Sequence, residues 1–85
     1  MDKIYLSNHI KLEILSICGQ STSKSYNLEG NTPLFTLGYD DTPHCKMLEK
    51  KLQMLATYYK TGKSIPSGVI SKNLTVSQCI QLVLI

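Results

Sequence analysis

One stretch of the chain gathers side chains able to do acid–base or metal chemistry. Gly38-Tyr39-Asp40-Asp41-Thr42-Pro43-His44 holds two carboxylates and an imidazole. Such a set can trade protons with a ligand or hold a cation. A helix starting there would add free amide N–H groups and a positive dipole end. The same residues are also ordinary turn and cap chemistry. His9 is the only other histidine, and no second Asp, Glu or His cluster completes a metal sphere. No Ser-His-Asp or Cys-His nucleophile pattern is present. The expectation is therefore no catalytic residue, no metal and no cofactor, with Tyr39, Asp40 and His44 as candidate binding residues.

A second candidate lies on the segment that follows. At about 100° per residue, Lys46, Glu49, Lys50, Gln53, Thr57 and Lys60 cover a polar face. Cys45, Leu48, Leu52, Leu55 and Tyr59 form an apolar stripe. Met47, Met54 and Tyr58 form another beside it, with the column His44, Lys51, Tyr58 between the two. Lysine is rarely buried without a partner. Either Lys51 snorkels, with a packed stem and a wet head, or the second stripe meets a partner. In the latter case Lys51 and His44 would contact an anion or carboxylate there. Met47, Lys51, Met54 and Tyr58 are thus candidate binding residues.

Gly62-Lys63-Ser64 resembles the end of a phosphate-binding loop, but Thr57 stands where that motif needs its first glycine. Lys63 remains a candidate anion contact. The segments Lys3-Ile4-Tyr5-Leu6-Ser7-Asn8 and Gly38-Tyr39-Asp40-Asp41-Thr42 are slightly similar to the viral ring nucleases that destroy cyclic oligoadenylate. The likeness is too slight to make the chain a member. Tyr39 replaces that family's histidine, so the resemblance implies nucleotide binding and puts cleavage by that family's route in doubt.

The elements that must position these groups follow from local signals. Lys3 to Leu6 reads as a short strand, followed by a helix capped by Ser7 or Asn8 and ended by Gly19. Alternation of Ile10, Leu12 and Ile14 with Lys11 and Glu13 makes a strand the rival. Gln20 to Lys24 reads as a loop. Ser25 to Glu29 and Pro33 to Gly38 read as a hairpin turning at Gly30-Asn31. Thr42 caps and Pro43 opens a long helix to about Lys60, with Gly62 as its stop. Thr61 through Lys72 is a loop. Thr75 with Gln78 makes a capping box before Val76, Cys79, Ile80 and Val83, although the terminal apolar run also allows a strand. The expected fold is one small α+β domain over residues 1–85. A short antiparallel sheet packs on one long amphipathic helix, about 43–60, with shorter helices near both ends.

Composition bounds the rest. The chain has 85 residues and net charge +3, with nine basic residues, all lysine. Mean hydropathy is -0.05 and 42% of residues are hydrophobic, which suits a globule. So short a chain buries only about 60–65% of its unfolded surface, and oligomers often support such thin cores. No apolar run is long enough to span a membrane. The first residues lack a signal-peptide pattern, so a cytoplasmic protein is expected. Cys18, Cys45 and Cys79 are odd in number and far apart, which disfavours both disulfides and zinc. Each falls among apolar residues at helical spacing and reads as a small buried hydrophobe; the alternative is a reactive thiol, for which Cys45, in a helix's first turn, is the best candidate. Nucleic-acid binding is disfavoured by the modest charge and the absence of arginine.

The leading expectation is a small intracellular, non-catalytic binding protein. It would be an inhibitor or adaptor of the kind phages and mobile elements encode, acting on a host protein or on a second copy of itself. The alternatives are a binder or sponge, and less readily a nuclease, of an anionic nucleotide such as a cyclic oligonucleotide signal, and a weak nucleic-acid binder.

Overall fold

The computed structural model describes residues 3–23, 28–40 and 42–84. They form three α-helices and no strand: α1 (Lys3–Ile17), α2 (His44–Tyr58) and α3 (Val76–Leu84). A 3₁₀ turn, Leu34–Leu37, precedes α2. The expected α+β class is thereby corrected to all-helical.

The first correction falls on Lys3–Leu6, which is the opening turn of α1 and not a strand. A strand would turn Ile4 and Leu6 to one face. Instead Leu6 is buried with Ile10 and Ile14, each four residues on, while Ile4 is exposed. The helix ends where Gly19 predicts. Gly19 is left-handed, its N–H reaches the Ser16 carbonyl, and the Gln20 N–H reaches the Leu15 carbonyl. These are the two bonds of a Schellman cap.

The second correction removes the hairpin. Of its first strand, Ser25, Tyr26 and Asn27 lie outside the described residues, and Leu28 and Glu29 are not strand. The turn at Gly30-Asn31 does form, closed by the Thr32 N–H on the Glu29 carbonyl at 3.1 Å. Pro33 then makes a single antiparallel bridge, with Thr75. Leu34 N–H bonds the Leu74 carbonyl at 2.9 Å, and Val76 N–H bonds the Thr32 carbonyl at 3.0 Å. The ladder cannot extend. On one side Thr36 folds back, with both N–H and hydroxyl on the Pro33 carbonyl, and left-handed Gly38 ends the turn. On the other side α3 begins at once. Its capping box is complete: Gln78 Oε1 takes the Thr75 N–H at 2.9 Å, and Thr75 Oγ1 takes the Gln78 N–H at 3.2 Å. A terminal strand is therefore excluded over Val76–Leu84.

Helix α2 is shorter at both ends than expected. Pro43, not Thr42, is its N-cap, because the Pro43 carbonyl accepts the Met47 N–H; the Thr42–Pro43 peptide is cis. At the far end Lys60, not Gly62, takes the left-handed cap position, at φ 56°. The Lys60 N–H bonds the Thr57 carbonyl and the Thr61 N–H the Ala56 carbonyl. The polar face is also less free than its pattern suggests. Glu49 Oε2 accepts the Gly68 N–H and Gln53 Oε1 the Ile65 N–H, both at 2.8 Å. These bonds hold the loop after α2 against the helix, with Ile65 and Ile70 buried.

One hydrophobic cluster draws on all three helices. Leu6, Ile10 and Ile14 meet Cys45, Leu48, Leu52 and Leu55, with Val76, Cys79 and Val83 and the loop residues Leu34 and Tyr39. Each fully buried Leu, Ile or Val contributes about 1.5–3 kcal/mol of transfer free energy. Helices α1 and α2 run antiparallel. Tyr5 and His9, early in α1, face Tyr59 after the end of α2, while Glu13 reaches back to Lys51.

A candidate binding groove between α1 and α2

The antiparallel pair leaves a groove of about 410 Å³. Helix α1 contributes Tyr5, His9 and Glu13, which share one side at helical spacing. Helix α2 contributes Lys51, Met54, Leu55 and Tyr58, with Tyr59 following. Leu12 and Asn8 line a smaller hollow on the outer side of Tyr5 and His9.

A line of polar groups crosses the groove. Tyr59 Oη and His9 Nδ1 are 3.0 Å apart. His9 Nε2 lies 3.7 Å from Glu13 Oε1, and Lys51 Nζ 4.0 Å from Glu13 Oε2. Partial desolvation, reinforced by Tyr5 and Tyr58, holds the Tyr59 hydroxyl above its ordinary value of 10.0. It therefore stays protonated near neutrality. Lys51 meets the snorkelling role weighed for it, with its head at the surface. Its side chain stays 45% exposed, and the carboxylate it approaches belongs to α1 of the same chain. An exposed pair of this kind contributes at most about 1 kcal/mol.

The Tyr39–His44 junction has similar residue types and a different outcome. Tyr39 is buried, and its hydroxyl donates to the Ile14 carbonyl, in the last turn of α1, at 2.6 Å. Burial, with Cys18, Cys79, Cys45 and Glu13 adding, drives its proton affinity far above the ordinary tyrosine range. Tyr39 is a core strut with no free hydroxyl to offer a ligand. The Asp40 N–H donates to His44 Nδ1 at 3.3 Å, and the Asp40 carboxylate lies 3.8 Å from that nitrogen. The His44 ring also meets Tyr39 edge-on, centroids 6.1 Å apart. Asp41 lies outside the described residues.

The thiols show no activation. Cys45 and Cys79 are buried, as expected of small apolar side chains, which leaves the alternative of a reactive Cys45 without support. The first turn of α2 that was to activate it instead points it into the core. Burial pushes Cys79 up to about 12. Cys18, half-buried, is raised first by desolvation and then by the Asp40 carboxylate. That is the reverse of the electropositive setting that makes thiolates. Among the described residues, no three His, Cys, Asp or Glu side chains are placed to hold a metal ion.

The predicted site residues therefore divide among separate places. Lys51, Met54 and Tyr58 line the groove. Met47 is exposed on the same side of α2, one turn before Lys51. Tyr39, Asp40 and His44 form the junction. Lys63 sits in the exposed loop after α2, its N–H on Thr61 Oγ1. Periodicity along α2 could not supply the α1 half of the groove, namely Tyr5, His9 and Glu13. The available signal was the i,i+4 pair His9 and Glu13, which share one helix side.

Among the described residues, no helix is long and apolar enough to cross a membrane. In comparisons with known proteins, no family model matches the sequence, no curated protein matches it significantly, and no solved structure matches the fold.

Proposed function

We propose that this chain is a non-catalytic protein-binding domain, an inhibitor or adaptor, whose docking surface is the α1–α2 face. One observation carries the reading: large apolar side chains of α1 and α2 stand in water at the groove and beside it. Tyr5 is 63% exposed, Leu12 37%, Met47 46%, Met54 62% and Tyr58 77%. Large apolar side chains exposed together with polar groups are a mark of an interaction site. Tyr and Met are enriched at such sites, and methionine adapts its shape to the surface it meets. The anionic-nucleotide reading would place its ligand at the Tyr39–His44 junction or around Lys51 and Lys63. At the first, the Tyr39 hydroxyl is held by the Ile14 carbonyl; at the second, Lys51 already faces Glu13.

The test is capture from a lysate of cells that also express untagged copies of the chain. Wild-type protein should retain one protein species, self or foreign, at near-stoichiometric amount. The exposed double variant Met54→Lys/Tyr58→Lys should lose it while keeping its helical circular-dichroism spectrum. Equal retention by both proteins, or none by either, would contradict the reading.

A further inference from the structure

We infer that the α1–α2 face is occupied by a second copy of this chain, related by a twofold axis, with α1 of one copy lying against α2 of the other. The inference rests on the protein-binding reading of this face and names its occupant.

Area is the first argument. A fully exposed side chain of this size presents roughly 200 Å², so the exposures of Tyr5, Leu12, Met47, Met54 and Tyr58 leave roughly 600 Å² of side-chain surface uncovered. Homodimer interfaces are about 65% apolar. Covering these side chains together with the polar groups among them would make up most of the ~800 Å² per partner of a standard stable complex. A thin-cored chain of 85 residues gains most from such cover.

Length and charge fix the pairing. Helices α1 and α2 both have 15 residues. Each is about 22 Å long, so α1 of one copy spans α2 of the other from end to end. The outer stripe of α1, Tyr5, Asn8, Leu12 and Ser16, carries no charge. The corresponding edge of α2 carries Lys50 and Lys51. Packing α2 on its own symmetry mate would bring these lysines together, and like charges facing each other are costly. Packing α2 on the partner's α1 sets them beside an uncharged stripe. A twofold axis makes both such contacts at once, because residue i meets j and j meets i. The result is a four-helix layer with the groove residues inside.

The experiment is light scattering with size exclusion on the purified protein, from micromolar to several hundred micromolar. The wild type should approach twice the 9.5 kDa chain mass as concentration rises. Leu12→Lys on α1 and Met54→Glu on α2 should each remain monomeric with wild-type helix content. Mixed in equal amounts, they should recover the dimer mass, since the new lysine of one copy meets the new glutamate of the other. A wild-type monomer throughout this range would overturn the inference. If lysate capture still depended on Met54 and Tyr58, the protein-binding reading would stand with a foreign occupant; if capture failed too, both would fall. A wild-type dimer whose two variants do not complement each other would overturn the α1-to-α2 pairing.

Discussion

The Tyr39–His44 junction and the α1–α2 groove hold nearly the same chemistry. Each places a tyrosine beside a histidine, and each histidine sits four residues from a carboxylate. The sequence favours the first cluster, because its residues are contiguous and adjoin a helix start. Burial reverses the ranking. At the junction the tyrosine is consumed by the core, its hydroxyl fixed on the Ile14 carbonyl. In the groove the polar groups form an open line, and the aromatic and Met side chains around them remain in water. Residue types propose chemistry, and the depth at which the fold sets them decides whether a partner can reach it.

The largest expected difference between the two regions is in stability. Tyr39→Ala removes a buried ring and should cost about 3–5 kcal/mol, enough to unfold much of a domain this small. Tyr58→Ala, on the exposed rim, should stay within about 0.5 kcal/mol in dilute protein. Urea denaturation of both variants at low micromolar concentration checks this. Similar costs at the two positions would abolish the distinction.

Removing hydroxyls alone sharpens it. Tyr39→Phe leaves the buried Ile14 carbonyl without its side-chain donor and should cost about 1–3 kcal/mol. Tyr59→Phe removes a hydroxyl from the partly exposed groove and should cost less than about 1 kcal/mol. The same denaturation series reads both, and a larger loss at Tyr59 would show the groove line to be the structural one.

Alkaline pH probes the same asymmetry. The thiol of Cys79 and the hydroxyl of Tyr39 are both raised by burial, from ordinary values of 9.0 and 10.0. The unfolded chain releases these protons at the ordinary values, while the folded chain keeps them. Their contribution is therefore fully present below about pH 9 and is lost as pH rises toward 12. The slope is at most about 1.4 kcal/mol per pH unit for each group. Stability measured from pH 8 to 11 should fall, and Tyr39→Phe should flatten the fall above pH 10. A flat profile in the wild type would contradict the burial of both groups.

The smallest effect is a gain outside both regions. Lys60 holds a left-handed conformation that glycine adopts freely. Lys60→Gly should therefore stabilise the chain by about 0.5–1 kcal/mol, raising the thermal midpoint and leaving any binding unchanged.

The sequence made some of this legible because some signals are local. Gly19 and the Thr75–Gln78 box marked helix ends correctly, since a cap is written in a few adjacent residues. The buried stripe of α2 was legible because Cys45, Leu48, Leu52 and Leu55 keep one period. Lys51 stood out for breaking that period, and Met54 and Tyr58 beside it do line the groove. Helix α1 was hard to read at its start because it is apolar on more than one side. It exposes Ile4, Tyr5 and Leu12 while burying Leu6, Ile10 and Ile14. The hairpin was misread because only Pro33 is extended, enough for one bridge, before the 3₁₀ turn begins at Leu34. Its partner, Thr75, lies far along the chain, beyond what turn chemistry can specify. The α1 side of the groove was missed for the same reason: which helix lies beside α2 is decided by packing.

The most direct test sets the two regions against each other in a single binding measurement. Tyr58→Lys alters the groove rim and Asp40→Lys alters the junction, both at exposed positions. With the wild type, each variant is immobilised and its capture of the bound protein quantified under identical conditions. The docking account predicts at least a tenfold loss for Tyr58→Lys and retention near wild type for Asp40→Lys. Loss at Asp40 with retention at Tyr58 would contradict it and return the functional site to the junction.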